Sequence, residues 1–222
     1  MIRLAVLDMA GTTVGDDGAV EAAFLEAVDG TGLDQDAALS YVRETMGSSK
    51  IDVFRTLYEG DEERAHTAND RFEGAYADGV LGGGASALPG AEGAMALLRE
   101  AGVMVCLTTG FSPSTRDLLL SSLGWEDAVD LVLSPADAGR GRPFPDMVLT
   151  AVLRLAVDDV RQVAVAGDTA NDLLAGWRAG AGIVAGVLTG AHSRTELEAA
   201  PHTHVLDSVA DLPPLIQAAL VI

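Results

Sequence analysis

The stretch that decides the fold is Arg3-Leu4-Ala5-Val6-Leu7-Asp8-Met9-Ala10-Gly11-Thr12-Thr13, near the start of the chain. An apolar run of strand length ends on a carboxylate, and small and hydroxyl-bearing residues follow at once. A run that is apolar at nearly every position is typical of a strand covered on both faces in a parallel sheet. The stretch therefore predicts a buried strand whose carboxyl end carries reactive polar groups.

Four further apolar runs of the same kind follow, with helical patterns between them. The runs cover residues 103–109, 131–134, 162–168 and 182–188. The helices are predicted at residues 91–101, 114–123 and 147–155. Strands that alternate with helices are typical of a parallel sheet with helices on both faces. We therefore expect an α/β fold with a Rossmann-like sheet.

The alternation is interrupted once, between the first strand and the second. About 90 residues intervene there, whereas most strand-to-helix connections are only a few residues long. Apolar residues in this interval recur at helical spacing, as in Val20, Phe24 and Val28, and no strand pattern is evident. We predict an all-helical cap at 15–87, inserted into a core formed by 1–14 and 88–222. Glycine-rich connectors at 15–18 and 79–90 are interpreted as its hinges.

The composition narrows the range of partners. The 222 residues include 33 acidic and 14 basic side chains, for a formal charge of −19, which argues against binding to nucleic acids or anionic membranes. The single cysteine, Cys106, excludes a disulfide framework. No apolar run approaches the roughly 18 residues of a membrane span, and no secretory leader is evident. We expect a cytoplasmic protein that acts on a small molecule.

Polar groups stand at the predicted strand ends. Carboxylates follow the first and fourth strands, at Asp8 and at Asp168 with Asp172 nearby, while Thr109 ends the second strand and Arg142 lies between the third and fourth. Carboxylates gathered at one sheet edge repel one another unless a cation lies between them, and oxygen ligands suit Mg²⁺. A hydroxyl beside backbone N–H groups, together with a guanidinium, complements a phosphoryl group. A single aspartate after a strand is most often a helix cap, but capping does not explain four such strand ends together.

These motifs resemble the ordered motifs of the haloacid dehalogenase superfamily. They are Asp8-x-Ala10-Gly11-Thr12, Thr109, Gly141-Arg142-Pro143 and Gly167-Asp168-Thr169-x-x-Asp172. The resemblance implies an aspartyl-phosphate on Asp8, and Mg²⁺ held by Asp8, the Ala10 carbonyl, Asp168 and Asp172. It further implies a set of phosphate- and substrate-binding residues, namely Gly11, Thr12, Met46, Thr109, Gly110, Phe111 and Arg142.

Ala10 separates two branches of the superfamily. Phosphatases and mutases carry an aspartate at this position that protonates the departing alkoxide, and the loss of such an acid typically costs about 10²–10⁴ in rate. An ordinary phosphomonoesterase is therefore disfavoured. The chain is similar to the phosphonoacetaldehyde hydrolase branch, in which a cap lysine forms an imine with the aldehyde. The segment Met46-Gly47-Ser48-Ser49-Lys50-Ile51-Asp52 matches the lysine motif of that branch.

Lys50 stands out even without the resemblance, since every other basic residue of the chain is an arginine. Arginine can replace lysine wherever a surface charge suffices, but its guanidinium stays protonated and cannot form an imine. Gly47 is predicted to end one helix and Ser48 or Ser49 to cap the next, which puts Lys50 in a first helical turn. Asp52 is a candidate for a capping box with Ser49.

The chain departs from the phosphonoacetaldehyde hydrolase pattern at four positions. It has Met9, Gly18, Val53 and Phe111 where that branch has Trp, Cys, His and Tyr. The missing histidine normally assists the proton transfers of the lysine, and no other histidine fits that role by sequence position, neither His66 nor His192, His202 or His204. A related phosphonate or carbonyl substrate is therefore an open alternative.

Other functions also stay open. They include a small-molecule phosphatase similar to phosphoglycolate phosphatases and a non-catalytic binding module. Dehalogenation is disfavoured, because that chemistry uses no metal. By analogy with the family, the chain is expected to form a homodimer through its cap.

Overall fold

The computed structural model describes residues 1–15 and 18–218. Numbered in chain order, its strands are β1 (Leu4–Asp8), β2 (Val14–Gly15), β3 (Ser86–Ala87), β4 (Met104–Thr108), β5 (Leu131–Leu133), β6 (Val163–Gly167), β7 (Ile183–Val187) and β8 (His204–Leu206). Six of them form one parallel sheet in the order β5-β4-β1-β6-β7-β8. The sheet is flanked by helices, as the alternating pattern predicted.

The helices divide between the core and the inserted segment. Those of the insert are α1 (Ala19–Val28), α2 (Gln35–Glu44), α3 (Lys50–Leu57) and α4 (Glu62–Gly79). Those of the core are α5 (Ala91–Glu100), α6 (Pro113–Leu123), α7 (Pro135–Ala138), α8 (Asp146–Arg154), α9 (Ala170–Ala179), α10 (Arg194–Ala199) and α11 (Leu212–Ala218). Short 3₁₀ turns at Val160–Gln162 and Val209–Asp211 complete the core.

Alternate residues of β1 point to opposite faces of the sheet, and each face is covered. Ala5 and Leu7 belong to a large apolar cluster that includes Leu98 of α5. Leu4 and Val6 belong to a second cluster that includes Met147 and Val148 of α8. All five residues of β1 are buried, which explains why the strand reads as a continuous apolar run.

The five predicted strands are all present, each a residue or two shorter than predicted. The sheet has a sixth strand, β8, which the sequence pattern missed. Its three residues are only half-buried, and so short a segment carries neither a continuous apolar run nor a clear alternation.

The insert is built around a cluster of three phenylalanines. The ring centroids of Phe24 and Phe54 lie 5.0 Å apart, and those of Phe54 and Phe72 lie 6.1 Å apart. All three side chains are fully buried. The helical spacing that predicted this part of the chain therefore reflects a core shared by α1, α3 and α4.

One expectation about the borders of the insert is wrong. Strands do occur there, because Val14 pairs with Ala87 and Gly15 with Ser86 in a short antiparallel ladder. In the second connector, α4 continues to Gly79 and a π-helical turn follows at Val80–Gly84, and its role as a hinge stays a prediction. Asp16 and Asp17 of the first connector, and 219–222 of the predicted core, lie outside the described residues. The domain boundaries stay a prediction.

Among the described residues, no helix combines the length and the apolar character that crossing a membrane requires.

The phenylalanine cluster should dominate the stability of the insert. We expect Phe54→Ala to lower the free energy of unfolding by about 3–5 kcal/mol, because the large cavity left behind is lined by rings that cannot collapse into it. Urea denaturation followed by circular dichroism measures the change. As a control, Leu153→Ala truncates a side chain that is 80% exposed and should change stability by no more than about 0.5 kcal/mol. Equal effects of the two substitutions would contradict this packing role.

Candidate active site at the strand ends

The site begins with Asp8, the last residue of the central strand. Asp8 lies directly opposite Thr108, the last residue of β4, in the parallel ladder. Its side chain is 5% exposed, and Nη1 of Arg142 donates a hydrogen bond to its Oδ1. The carboxylate therefore lies at the centre of the sheet edge, held by a guanidinium from the loop that precedes α8.

Asp168 follows β6 and is held by two donors. The Thr12 hydroxyl donates to its Oδ1 at 3.3 Å, and the backbone N–H of Ala191 donates to its Oδ2 at 2.7 Å. Gly11 lies so close that a Cβ at that position would be 2.5 Å from Oδ2, and its φ of +85° also favours glycine. The small residues of the first motif thus make room for the second carboxylate.

Asp172 both caps a helix and belongs to the carboxylate cluster. It forms a capping box with Thr169 at the start of α9, where its Oδ2 accepts a hydrogen bond from the Thr169 backbone N–H at 3.1 Å. Its Oδ1 accepts a hydrogen bond from Nη1 of Arg142, the same atom that contacts Asp8. Asp172 is therefore a helix cap, but capping does not explain its hydrogen bond with Arg142.

This cluster contains more negative than positive charge. Asp8, Asp168 and Asp172 are each no more than 5% exposed, and Arg142 forms ion pairs with two of them, Asp8 and Asp172. Burial, together with repulsion from the other two carboxylates, raises the pKa of Asp8 well above its usual range, although Arg142 opposes this. Burial and Asp172 raise the pKa of Asp168 to about 6. Burial alone would lower the pKa of Arg142, but attraction to Asp172 and Asp8 outweighs it and raises that pKa.

The three carboxylates suit a divalent cation. One oxygen from each of Asp8, Asp168 and Asp172 lies within 4.8 Å of the others. If all three are ionised, Arg142 leaves an excess of two negative charges in a buried place, and a hard divalent cation matches both that charge and the oxygen donors. The residues therefore fit the Mg²⁺ predicted from the sequence.

The loop after β4 lies beside Asp8. Thr109 is buried, its backbone N–H donates to the carbonyl of Leu133, and its hydroxyl oxygen accepts a hydrogen bond from the Phe111 backbone N–H at 3.2 Å. The proton of that hydroxyl stays available for an incoming oxygen. By contrast, both donors of Thr12 are used within the protein, its hydroxyl by Asp168 and its N–H by the carbonyl of Met9. The phosphate-binding roles of Thr12 and Thr109 stay predictions.

A segment of the insert closes over this edge. The backbone N–H of Lys50 donates to the carbonyl of Gly110 at 3.2 Å. The Asn171 side chain donates to the Met46 carbonyl at 3.0 Å and to the Ser48 hydroxyl at 3.1 Å. A Cβ at Gly110 would lie 2.5 Å from the carbonyl oxygen of Ser48, so the approach of the two backbones requires glycine there. The insert is therefore in direct contact with the strand-end loops.

This contact brings Lys50 to the edge of the site. Lys50 is the first residue of α3 and is 8% exposed. Its Nζ lies 5.7 Å from the ring centroid of Phe111, 6.0 Å from that of Phe72 and 4.0 Å from Sδ of Met46. The prediction that Lys50 lies in a first helical turn is confirmed. The capping box is absent, because Ser49 makes no side-chain cap and Asp52 instead accepts a hydrogen bond from Arg55 at 2.8 Å.

Two of the cavities that adjoin the site are lined by residues of both the core and the insert. One of about 390 Å³ is lined by Ala10, Gly11, Met46 and Asp168, together with residues of the loop after β7. The other, of about 200 Å³, is lined by Lys50 and Phe111 together with a polar face of α4, which comprises His66, Asn69 and Glu73. Met46 lines the first cavity and contacts Lys50, which lines the second.

The sequence did not identify every residue at the site. His66 lines the Lys50 cavity, although sequence position gave no reason to place it there. Ala191 could have been found with the same strand-end rule, because it follows β7. Asn171 was inside a quoted motif, but its contact is with residues more than 120 positions away. Val53, at the position of the missing histidine, is buried in the core of the insert.

Fold and site together define an α/β enzyme core with an acidic edge that is closed by a helical insert. A family model for haloacid dehalogenase-like hydrolases matches residues 2–180. The chain belongs to this haloacid dehalogenase-like hydrolase family, as its motifs predicted. Hydrolases of this family generally use Mg²⁺, in agreement with the donor set described above.

Individual relatives cover nearly the whole chain. Phosphonoacetaldehyde hydrolase of Bacteroides fragilis is 30% identical over 240 residues, which cover 98% of this chain and 89% of that protein. Probable phosphatase IndB of Dickeya dadantii is 26% identical over 228 residues, with coverage of 99% and 96%. A solved structure, the phosphonoacetaldehyde hydrolase like protein from Oleispira antarctica, has a TM-score of 0.84 at 25% identity, with coverage of 98% and 92%.

The raised pKa of Asp168 predicts a pH dependence of stability in metal-free protein. The folded state binds a proton on Asp168 up to about pH 6, whereas the unfolded chain releases it near pH 4, so stability falls as the pH rises between these values. We expect this contribution to be roughly 3 kcal/mol. Denaturation in EDTA from pH 4 to pH 7 should therefore show a steeper loss of stability for the wild type than for Asp168→Asn. Identical slopes would contradict the prediction.

Proposed function

We propose that the protein is a Mg²⁺-dependent phosphonatase-like hydrolase that cleaves the P–C bond of phosphonoacetaldehyde or a close analogue. The observation that carries the proposal is the position of Lys50. The sole lysine of the chain is buried against the loop after β4, in a protein whose first motif has Ala10 in place of a general acid. The similarity to phosphonoacetaldehyde hydrolases supports the same substrate class.

The reaction starts at Lys50. Its amine adds to the aldehyde carbon, and loss of water leaves a protonated imine. The rings of Phe72 and Phe111 flank the amine and keep solvent from the new carbon–nitrogen bond. This step needs a primary amine, which arginine cannot supply. A lysine at position 50 therefore fits the reaction, in a chain whose other basic residues are all arginines.

Asp8 then receives the phosphoryl group. Its carboxylate oxygen attacks phosphorus, and the electrons of the breaking P–C bond move into the imine to give an enamine. No alkoxide leaves in this step, so no acid is needed at Ala10. The enamine takes a proton on carbon and is hydrolysed to release the aldehyde from Lys50, while a second water cleaves the aspartyl-phosphate to give phosphate.

The remaining residues bind the phosphoryl group or hold the metal ligands in place. Arg142 bonds to Asp8 and Asp172 and, together with the Thr109 hydroxyl, is positioned to bind phosphoryl oxygens. Mg²⁺, when held by Asp8, Asp168 and Asp172, offsets the negative charge that gathers between these carboxylates and the phosphoryl group. Thr12 and Ala191 hold Asp168 in place as a ligand.

A small-molecule phosphomonoester phosphatase is the second candidate function. The 26% identity to a probable phosphatase over almost the full length favours it. This activity would need either a substrate with a good leaving group or an acid supplied by the insert, and His66 on the Lys50 cavity is one candidate for that role.

The imine step predicts a covalent adduct on one residue. Borohydride added with phosphonoacetaldehyde should reduce the imine and label Lys50, as mass spectrometry of peptides will show. We expect Lys50→Arg to abolish the adduct and to lower phosphonate turnover by at least about 10³-fold, since the guanidinium cannot form an imine. Arg55→Lys adds an exposed lysine to the same helix and should leave the label on Lys50. Full turnover by Lys50→Arg would eliminate the mechanism.

Because the first motif has Ala10 where phosphatases carry an acid, we expect substitution of Ala10 to change substrate specificity. Ala10→Asp places a carboxyl group where an alkoxide would depart, so the ratio of phosphomonoester to phosphonate hydrolysis should rise by about 10²-fold. Ala10→Asn has the same shape without the proton and should leave the ratio near that of the wild type. Assays of both substrate classes with Mg²⁺ measure the effect. An unchanged ratio in Ala10→Asp would show that Ala10 does not set specificity.

A further inference from the structure

One carboxylate of the insert reaches the core at a place that the proposed reaction does not use. Glu73 of α4 lies at the amino-terminal end of α6. Its Oε1 accepts a hydrogen bond from the Ser112 backbone N–H at 3.1 Å, and its Oε2 accepts one from the Ser112 hydroxyl at 2.7 Å. The Thr115 hydroxyl also donates to Oε2. Three donors from one helix start converge on this carboxylate, and the positive end of the helix favours its negative charge.

The residues next to this contact form the walls around Lys50. Phe72 directly precedes Glu73, and Phe111 directly precedes Ser112. The two rings stack with their centroids 6.1 Å apart and an angle of 19° between their planes. Lys50 Nζ lies about equally far from both. Phe72 and Phe111 each adjoin one partner of the contact between Glu73 and Ser112. This contact therefore determines how closely the two rings approach each other.

We propose that Glu73 is a positioning residue for Lys50. It ties α4 of the insert to the start of α6 in the core and so holds Phe72 and Phe111 beside the amine. In the imine mechanism, these walls keep water from the carbon–nitrogen bond, and their faces attract the cationic imine. The catalytic consequence rests on the proposed function, whereas the positioning itself can be measured without a substrate.

The single lysine makes a direct test possible. An amine-acylating reagent reacts with Lys50 and with the terminal amine, and peptide mapping separates the two. In native wild-type protein the reaction at Lys50 should be slow, since the side chain is 8% exposed. We expect Glu73→Ala to speed acylation of Lys50 by about tenfold or more, because local opening of the α4–α6 contact exposes the amine. Glu73→Gln keeps an acceptor oxygen and should give an intermediate rate.

Asp70→Ala is the matched control. It removes one negative charge from an exposed position of the same helix, and Lys50 in this variant should react at the wild-type rate. Thermal denaturation of each variant shows whether a faster reaction merely follows a loss of global stability. The proposal is wrong if Glu73→Ala reacts like the wild type, or if acylation rises only in proportion to the global destabilisation.

Two further measurements keep the test decisive. If Glu73→Ala does not fold, Thr115→Val removes one of the donors to Glu73 and should speed acylation by a smaller factor; an unchanged rate would overturn the proposal. With phosphonoacetaldehyde, Glu73→Ala should lower kcat more than it raises KM, and the yield of the borohydride adduct should fall in parallel. If the wild type forms no adduct with any phosphonate aldehyde, the proposed function fails, but the acylation rates still decide the role of Glu73.

Discussion

The interaction on which the site depends is the burial of three carboxylates against one guanidinium. Asp8 and Asp172 share Arg142, and Asp168 lies beside them, in a place that is almost closed to solvent. Burial, together with repulsion between the carboxylates, raises the pKa of both Asp8 and Asp168. A fold optimised only for stability would not keep such a cluster. The hydrogen-bond donors around it stabilise part of this charge, and a divalent cation would offset the rest.

The insert brings the other half of the chemistry to the same edge. The carboxylates come from the core, while the amine comes from the start of α3, and backbone contacts to Gly110 together with the Asn171 side chain join the two parts. The carboxylates and the amine therefore come from different parts of the chain, although the insert and one face of the sheet share one apolar cluster.

Much of the fold and of the acidic site could be predicted, because both follow from local patterns. Buried parallel strands are apolar along their length, and their carboxyl ends meet at one edge, so Asp8, Thr109 and Asp168 could be assigned to a common place. β8 escaped prediction because it is short and half-buried. The ladder at the borders of the insert also escaped, because two residues per strand leave no periodicity. The capping box at Ser49 failed for a different reason: Arg55 competes for Asp52.

The sequence by itself determined the α/β class, the helical insert and the inventory of reactive groups, since strand runs, helical spacing and motif residues are all read along the chain. Only the tertiary structure decided what surrounds Lys50. Glu73 and Ser112 are 39 positions apart, and Asn171 and Ser48 are 123 apart, so no local pattern relates them. Their contacts exist because the insert packs onto the core at the strand ends, and side-chain packing in the apolar cluster that the two parts share determines how they meet.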